Sequence, residues 1–342
     1  MFGWLRTSLR RSAPASGAAL ASTVTAASAA RPQSPLDPES LLRRLEWKTV
    51  RVLDGLLQGD YKTLFRGEGM ALAELREYQP HDDVRHIDWN ATARMQTPYV
   101  REHQEDRDMS AWFLIDLSRS VSFGSAQTSK RMLATEFVGA MARILSRRGN
   151  RAGAMIYTGL RTQAQRHIPP RTGRRHVLHL IDCVANTRDD QPSGETDLRV
   201  LLVDALQVVK RRSTVFVISD FYTVEGWEPA LTRLARRHDV VAIRLTDPLE
   251  SRLPDLGLVT MEDAETGEQV FIDTHDPAFR RRFEQMSEAR EIALRAAFSS
   301  AGVDCLELRT DSSLVASLTH FMALRKRRAQ VAGGATQSPQ TT

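Results

Sequence analysis

Oxygen-bearing side chains occupy alternate positions in Asp116-Leu-Ser-Arg-Ser120, which directly follows an apolar run. In an extended turn, alternate residues project to the same side, so the carboxylate of Asp116 and the hydroxyls of Ser118 and Ser120 can converge on one hard cation. A second carboxylate, Asp220, follows another apolar run, and a further hydroxyl, Thr196, lies in a turn ahead of a helical segment. Together the five residues predict a binding site for a hard divalent cation.

The spacing of the first motif is by itself a weak signal. An Asp-x-Ser-x-Ser match also arises by chance, and a serine-rich helix N-cap would contain the same residues. The position of the motif favours the metal site, because ligands of an open parallel sheet collect at the carboxyl ends of its strands. Asp116, Thr196 and Asp220 all fall where predicted strands end or predicted helices begin.

The elements that bring these loops together follow from an alternation of apolar runs and amphipathic segments after residue 109. Buried strands are predicted at residues 111–115, 152–157, 214–218, 240–245 and 304–308, with an edge strand at 162–168. Helices are predicted at 130–145, 175–184, 198–209, 227–237, 279–298 and 314–324. Strands separated by single helices give an α/β fold with a doubly wound, mostly parallel sheet. The exception is 257–273, whose pattern predicts a β-hairpin.

Four regions are expected along the chain. Residues 1–40 are rich in Ala, Ser and Thr, which indicates a disordered extension or, alternatively, a targeting peptide. Residues 41–108 form a small N-terminal module with short strands, opened by an amphipathic helix at 41–57. Residues 109–325 form the α/β domain, with a hairpin insert within 250–275, and residues 326–342 form a disordered tail.

Composition restricts the partners that the chain can take. With 42% apolar and 26% charged residues it is typical of a globular protein, and its apolar runs are too short to cross a bilayer. A cytoplasmic location without a membrane span is therefore expected. The net charge of +5 comes from the tails, 1–36 and 325–342, which hold four basic residues each and no acid and leave −3 for the rest. Nucleic acid is not the expected partner. Cys183 and Cys305 lack metal-ligand spacing and are expected to be core residues.

The five predicted ligands resemble the metal-ion-dependent adhesion site of von Willebrand factor A domains, whose α/β fold is Rossmann-like. The resemblance implies that Ser118, Ser120 and Thr196 bind Mg²⁺ directly, while Asp116 and Asp220 act mainly through water. It also implies that one coordination position stays open for a carboxylate from a partner.

Short motifs, most of them upstream of the α/β domain, carry a second resemblance. They are Gly67-Glu-Gly-Met70, Glu74-Leu-Arg-Glu-Tyr78, Asp82-Asp-Val-Arg85, Ile87-Asp-Trp89, Ala93-Arg94, Ser219-Asp-Phe221 and Glu265-Thr-Gly-Glu268. The motifs are similar to the signature of domain-of-unknown-function family 58, and the resemblance spans residues 45–325. Its members are bacterial and archaeal proteins commonly encoded beside MoxR-type AAA+ ATPases. This implies such an ATPase, or a client protein of the pair, as partner.

The charged segment at residues 76–94 permits two interpretations. One is a set of ion pairs that clasps the small module onto the sheet, and partial burial of Ile87 and Trp89 would favour it. Trp89→Ala would then destabilise the protein by about 3–5 kcal/mol. The other interpretation is a docking surface for a partner.

His81 stands where the family has a glycine, which suggests a turn of positive φ. His81 and His86 lack a third ligand, so they are not expected to form a second metal site.

Three functions remain open at this point. The leading hypothesis is a metal-dependent module that binds an acidic side chain of a partner and performs no chemistry itself. A metal-dependent hydrolase or phosphotransferase is less favoured, because the sequence has no Walker lysine loop, no Gly-x-Ser-x-Gly elbow and no Asp-x-Asp at a strand end. The third is a structural module whose site is never loaded.

Overall fold

The computed structural model describes residues 8–10, 36–55, 74–79, 84, 87–102, 110–125, 128–159, 166–187, 196–262 and 269–334. Most of residues 1–40, the motifs at 67–70 and 265–268, and His81 and His86 lie outside the described residues. The predictions made for those segments therefore stay predictions.

From residue 110 onward strands and helices mostly alternate. In chain order the strands are β1 (Ser8–Arg10), β2 (Glu74–Glu77), β3 (Tyr99–Glu102), β4 (Ser110–Asp116), β5 (Arg151–Tyr157), β6 (Arg166–Arg171), β7 (Thr214–Ser219), β8 (Asp239–Thr246), β9 (Leu258–Glu262), β10 (Gln269–Asp273) and β11 (Asp304–Arg309). The α-helices are α1 (Pro38–Leu45), α2 (Trp89–Met95), α3 (Lys130–Arg147), α4 (Arg174–Ala185), α5 (Leu198–Val208), α6 (Glu228–Arg237), α7 (Pro248–Ser251), α8 (Pro277–Ala301) and α9 (Leu314–Gly334). The exceptions to the alternation are that β5 is followed by β6, α4 by α5, and β9 by β10.

A six-stranded sheet in the order β11-β8-β7-β4-β5-β6 forms the centre of the fold. Neighbouring strands run parallel except β6, which is antiparallel to β5. In the β4 register, Ile115 lies opposite Ile218 and Asp116 lies opposite Tyr157. The carboxyl ends of β5, β4 and β7 are therefore side by side. The predicted α/β fold with a mostly parallel, doubly wound sheet is confirmed.

Each face of this sheet has its own apolar core. One core joins β4 to α1, α3, α4 and α9, and the rings of Phe113 and Phe216 stack within it at 5.4 Å between centroids. The other core packs α5, α6 and α8 against Trp112, Leu114 and the facing side chains of β7 and β8. Helices on both faces explain why the strands are continuously apolar rather than alternating. This rigid layer fixes the loops at its carboxyl edge.

The outer strand β6 differs from its prediction. It covers Arg166–Arg171 and so extends past the predicted end at residue 168 to include Pro169 and Pro170, while the predicted residues 162–165 lie outside the described residues. Proline interrupts a central strand but is tolerated on an edge, which is why a boundary placed before the prolines was wrong. The register shifts at Gly153 of β5, where an added Cβ would lie 2.9 Å from the Pro170 nitrogen. The close approach of the two backbones therefore requires glycine.

The hairpin β9–β10 follows α7 and forms a second small sheet with β1. Val259, Met261 and Ile272 face inward and form, together with Leu253, a third apolar cluster. The opposite face exposes Leu258 and Phe271. The helix α9 extends to Gly334, beyond its predicted end at residue 324, because good helix formers follow Leu324.

In the small N-terminal module, β2 pairs with β3 in antiparallel fashion, and Ile87 bridges to Val100. Asp88 caps α2 by accepting hydrogen bonds from the amides of Asn90 and Ala91. Trp89 is 70% exposed, so the expectation of its partial burial was wrong. The reason is its place at the first position of α2, whose buried side is taken by Ala91. The expected loss of 3–5 kcal/mol on Trp89→Ala no longer follows, and about 0.5 kcal/mol is the appropriate figure.

Composition led to two expectations, one for the burial of the cysteines and one for membrane-spanning helices. Cys183 is buried as expected, whereas Cys305 is half-buried beside the second core, and both are free thiols. Within the described residues, no helix combines the length and the apolar composition that crossing a membrane requires.

Candidate metal centre

The loop after β4 places three oxygen-bearing side chains together. The amide of Ser118 donates to Asp116 Oδ1 at 2.9 Å, which folds the chain back over the strand end. The hydroxyl oxygens of Ser118 and Ser120 lie 3.1 Å apart. All three side chains are at most 3% exposed. The predicted convergence of Asp116, Ser118 and Ser120 is therefore present in the structure.

The loop after β7 is bonded directly to the first loop. Ser219 donates from its hydroxyl to Asp116 Oδ2 at 2.7 Å and accepts from the Phe221 amide at 2.8 Å. The next residue, Asp220, is also buried, and its Oδ1 accepts from the Tyr222 amide at 3.0 Å. The two carboxylates Asp116 and Asp220 therefore sit at neighbouring strand ends, joined through Ser219, which the sequence indicated only as part of the motif Ser219-Asp-Phe221 and not as a residue of the site.

Thr196 reaches the same edge from the start of α5. Its carbonyl oxygen accepts from the Thr223 hydroxyl at 2.9 Å and from the Val224 amide at 3.0 Å, both in the loop after β7. The amide of the following residue, Asp197, donates to the Tyr157 hydroxyl at 3.1 Å. Since Tyr157 lies opposite Asp116 in the sheet, Thr196 is held between the loops of β5 and β7, and it is 1% exposed.

Backbone strain accompanies the second loop. Phe221 has a φ of 56°, a left-handed conformation that is unfavourable for a bulky residue. Its ring packs between Trp227 and Phe298, with centroids 5.5 and 4.9 Å away, and its carbonyl accepts from Arg290 at 2.8 Å. Packing therefore holds a conformation that aims Asp220 at the edge of the sheet.

The electrostatics of the site favour a cation. Burial, and then the negative charge of Asp220, raise the pKa of the Asp116 carboxyl to about 6. The five predicted ligands offer only carboxylate and hydroxyl oxygens, which are the donors that hard divalent cations prefer. Among the described residues, no group of three or more His, Cys, Asp and Glu is placed to hold a metal. The donor set explains this, because three of its five members are hydroxyls.

Lys130 and Glu250 are the charged residues that sequence analysis missed. The Lys130 ammonium is fully buried and donates to Asp220 Oδ2 at 2.8 Å and to Glu250 Oε1 at 2.6 Å. Burial lowers the pKa of this ammonium, but the charges of Asp220 and Glu250 outweigh burial and hold the pKa above its ordinary value. One sequence signal existed: Lys130 is the first residue of α3, where the helix dipole disfavours a cation.

Asp247, at the end of β8, completes the edge. It is buried, and it accepts from the Ser125 amide at 2.8 Å, the Leu249 amide at 3.0 Å and the Thr310 hydroxyl at 2.7 Å. The Ser125 hydroxyl also donates to it. This carboxylate therefore ties the loop after β4 to the ends of β8 and β11.

Comparisons with known proteins identify relatives by sequence. The family described as "Protein of unknown function DUF58" matches residues 74–293. The uncharacterized protein Rv1480 of Mycobacterium tuberculosis is 38% identical over 296 residues, which cover 86% of this chain and 92% of that protein.

Among solved structures, the conserved hypothetical protein BatB from Bacteroides thetaiotaomicron has a TM-score of 0.41 and 15% identity, and the alignment covers 64% of this chain and 99% of BatB. The SpRpn10 VWA domain has a TM-score of 0.33 and 15% identity, with 62% and 94% covered.

Proposed function

The chain belongs to the DUF58 family, and from that premise we propose that it is a metal-dependent protein-interaction module. In this proposal the chain binds an acidic side chain of a partner and carries out no turnover. The supporting observation is that five buried residues lie on loops that are hydrogen-bonded to one another at one edge of the sheet: Asp116, Ser118, Ser120, Thr196 and Asp220. The five side chains would hold Mg²⁺, or Mn²⁺.

The charge of the surrounding groups supports a divalent cation. Among the buried and half-buried groups bonded at this edge, four carboxylates, Asp116, Asp220, Asp247 and Glu250, stand against two cations, Lys130 and Arg290. Asp197 beside Thr196 is paired with Arg199, so two negative charges remain. Uncompensated charge inside a protein is unfavourable, and one divalent cation would balance it. When bound, the metal supplies Lewis acidity, and a carboxylate from a partner can complete its coordination shell.

The groups around the site support binding rather than catalysis. The groups that donate hydrogen bonds to Asp116 and Asp220 include backbone amides, the hydroxyls of Ser118 and Ser219, and the Lys130 ammonium. An ammonium whose pKa is raised stays protonated and does not serve as a general base at neutral pH. The proposed partner is a MoxR-type AAA+ ATPase or a client protein of the pair, on the strength of the family resemblance.

A second candidate function has one observation in its favour. Lys130 already supplies a positive charge to Asp220, which is what a structural module with an unloaded site would need. Isothermal titration with Mg²⁺ and Mn²⁺ separates the two candidates. Binding by the wild-type protein that is lost in Asp116→Asn, with the circular dichroism spectrum unchanged, is the expected result. No binding by the wild-type protein would favour the structural module.

The partner step has its own test. The affinity of the chain for a MoxR-type AAA+ ATPase is measured with and without EDTA across a salt series, for the wild type and for Thr196→Ala. Chelation and Thr196→Ala should both weaken association strongly, and salt should matter less, because a metal-coordinated carboxylate is screened less than exposed charges. Binding that survives EDTA and collapses with salt would contradict the proposal.

A further inference from the structure

A buried ammonium lies at the centre of the carboxyl edge. Lys130 Nζ donates to Asp220 Oδ2 at 2.8 Å and to Glu250 Oε1 at 2.6 Å, and its side chain is 0% exposed. The rings of Phe123 and Tyr222 lie 5.9 and 5.6 Å from it. Moving an ammonium out of water is strongly unfavourable unless its charge is compensated, so the two carboxylates are required to keep it there.

Lys130 also determines how Asp220 can act. One carboxylate oxygen of Asp220 accepts from the ammonium and the other from the Tyr222 amide. Asp116 is engaged in a similar way, by the Ser118 amide and the Ser219 hydroxyl. Both carboxylates are thus oriented by hydrogen bonds within the protein, whereas the neighbouring hydroxyls of Ser118 and Ser120 bond to each other.

The charge of the edge depends on the same residue. Among the buried and half-buried groups bonded at this edge, the four carboxylates exceed the two cations by two while the Lys130 ammonium is in place. Replacing Lys130 by a neutral residue would raise the excess to three, and replacing Glu250 by glutamine would reduce it to one. The two residues are hydrogen-bonded to each other, but their removal shifts the charge in opposite directions.

We propose that Lys130 is a specificity-determining residue of the metal site: its buried ammonium restrains Asp220 and sets the edge at two negative charges, so that the site selects a divalent cation. This inference rests on the proposed metal binding. It differs from a purely structural role of the ion pair, which would predict that loss of either partner weakens the site.

The test compares Lys130→Met with Glu250→Gln. Mg²⁺ affinity is measured by isothermal titration at neutral pH, and Tb³⁺ affinity by luminescence. Lys130→Met should bind Mg²⁺ about tenfold more tightly than the wild type and should shift the preference of the site toward Tb³⁺. Glu250→Gln should bind Mg²⁺ about tenfold more weakly and should shift the preference away from Tb³⁺. The reason is that a full charge within the protein changes ion binding by at least this factor.

Matched controls come from the opposite edge of the sheet. Arg325 is likewise buried between two carboxylates, Asp239 and Asp304, at 2.9 Å from each. Arg325→Met and Asp304→Asn therefore remove a buried cation and its carboxylate partner far from the site. Both control variants should keep the wild-type affinities for Mg²⁺ and Tb³⁺.

The outcomes separate this inference from the proposed function. If the wild type binds neither ion, the proposed function fails and the inference fails with it. If the wild type binds Mg²⁺ but the two variants move in the same direction, or not at all, only the role of Lys130 is overturned. Should Lys130→Met fail to fold, Glu250→Gln decides the question through the two ions. A role in setting charge predicts a larger loss of affinity for Tb³⁺ than for Mg²⁺, whereas a purely structural ion pair predicts the same loss for both ions, and Asp304→Asn should show neither loss.

Discussion

Each of the two edges of the central sheet contains a buried cation that lies between two carboxylates. At the carboxyl edge, Lys130 is buried between Asp220 and Glu250. At the amino edge, Arg325 is buried between Asp239 at the start of β8 and Asp304 at the start of β11. In both cases a cation from a helix joins two carboxylates that are distant in sequence.

The difference lies in whether the charges balance. At the amino edge Arg328 also donates to Asp304, so two carboxylates meet two guanidinium groups. At the carboxyl edge the carboxylates exceed the cations by two, and three buried hydroxyls lie beside them. A balanced cluster serves to close the fold. A cluster that combines remaining negative charge with carboxylate and hydroxyl oxygens is suited to binding a cation.

The largest expected effect is at the amino edge. Arg325→Met leaves Asp239 and Asp304 without their buried cation, and the free energy of unfolding should fall by about 3–5 kcal/mol. Urea denaturation followed by circular dichroism measures the loss. Because the edge has no binding role, adding Mg²⁺ should stabilise this variant as much as the wild type. A Mg²⁺ effect that disappears in Arg325→Met would contradict a purely structural role for the amino edge.

The second prediction concerns pH. The folded-state pKa of Asp116, about 6, lies above the unfolded value of 3.8, so the folded protein binds the proton more tightly. Stability from this group is therefore greatest below pH 4 and declines as pH rises to 6, by about 3 kcal/mol in total. Denaturation of metal-free protein across this range should show the decline in the wild type and lose it in Asp116→Asn. Parallel curves for both proteins would contradict it.

The third prediction concerns Asp247 at the carboxyl edge. Asp247 is held by four neutral donors rather than by a cation. Asp247→Asn keeps its shape but weakens charge-assisted bonds, and a loss of about 2 kcal/mol is expected. Its Mg²⁺ affinity should fall as well, since the edge loses a negative charge. Asp304→Asn serves as the control, and an equal fall in Mg²⁺ affinity there would count against a difference between the edges.

The smallest effect is expected at Arg328. Its side chain is 72% exposed, although it donates to Asp304 at 2.8 Å. Exposed ion pairs contribute little, so Arg328→Ala should change the free energy of unfolding by less than about 0.5 kcal/mol. A loss comparable to that of Arg325→Met would show that the balance of charge at this edge depends on the exposed arginine.

Much of the fold and part of the site follow from sequence. Continuous apolar strands alternating with amphipathic helices predict the parallel sheet, and the polar residues after β4 and β7 then have to meet at one edge. Lys130 and Glu250 could not be found this way, because they are 120 residues apart and their pairing depends on tertiary structure. Periodicity also fails for Trp89, since an aromatic side chain in a charged segment reads the same whether it is buried or exposed.

The prolines of β6 have a consequence for how the protein behaves in concentrated solution. Pro169 and Pro170 have no amide hydrogen, so the outer strand offers fewer donors to an incoming strand. At the other border, β11 carries Asp304, Glu307 and Arg309, whose charges discourage a second copy from aligning there. Both borders of the six-stranded sheet are thus poor templates for cross-β growth. The protein can therefore reach high concentration without the sheet seeding aggregates.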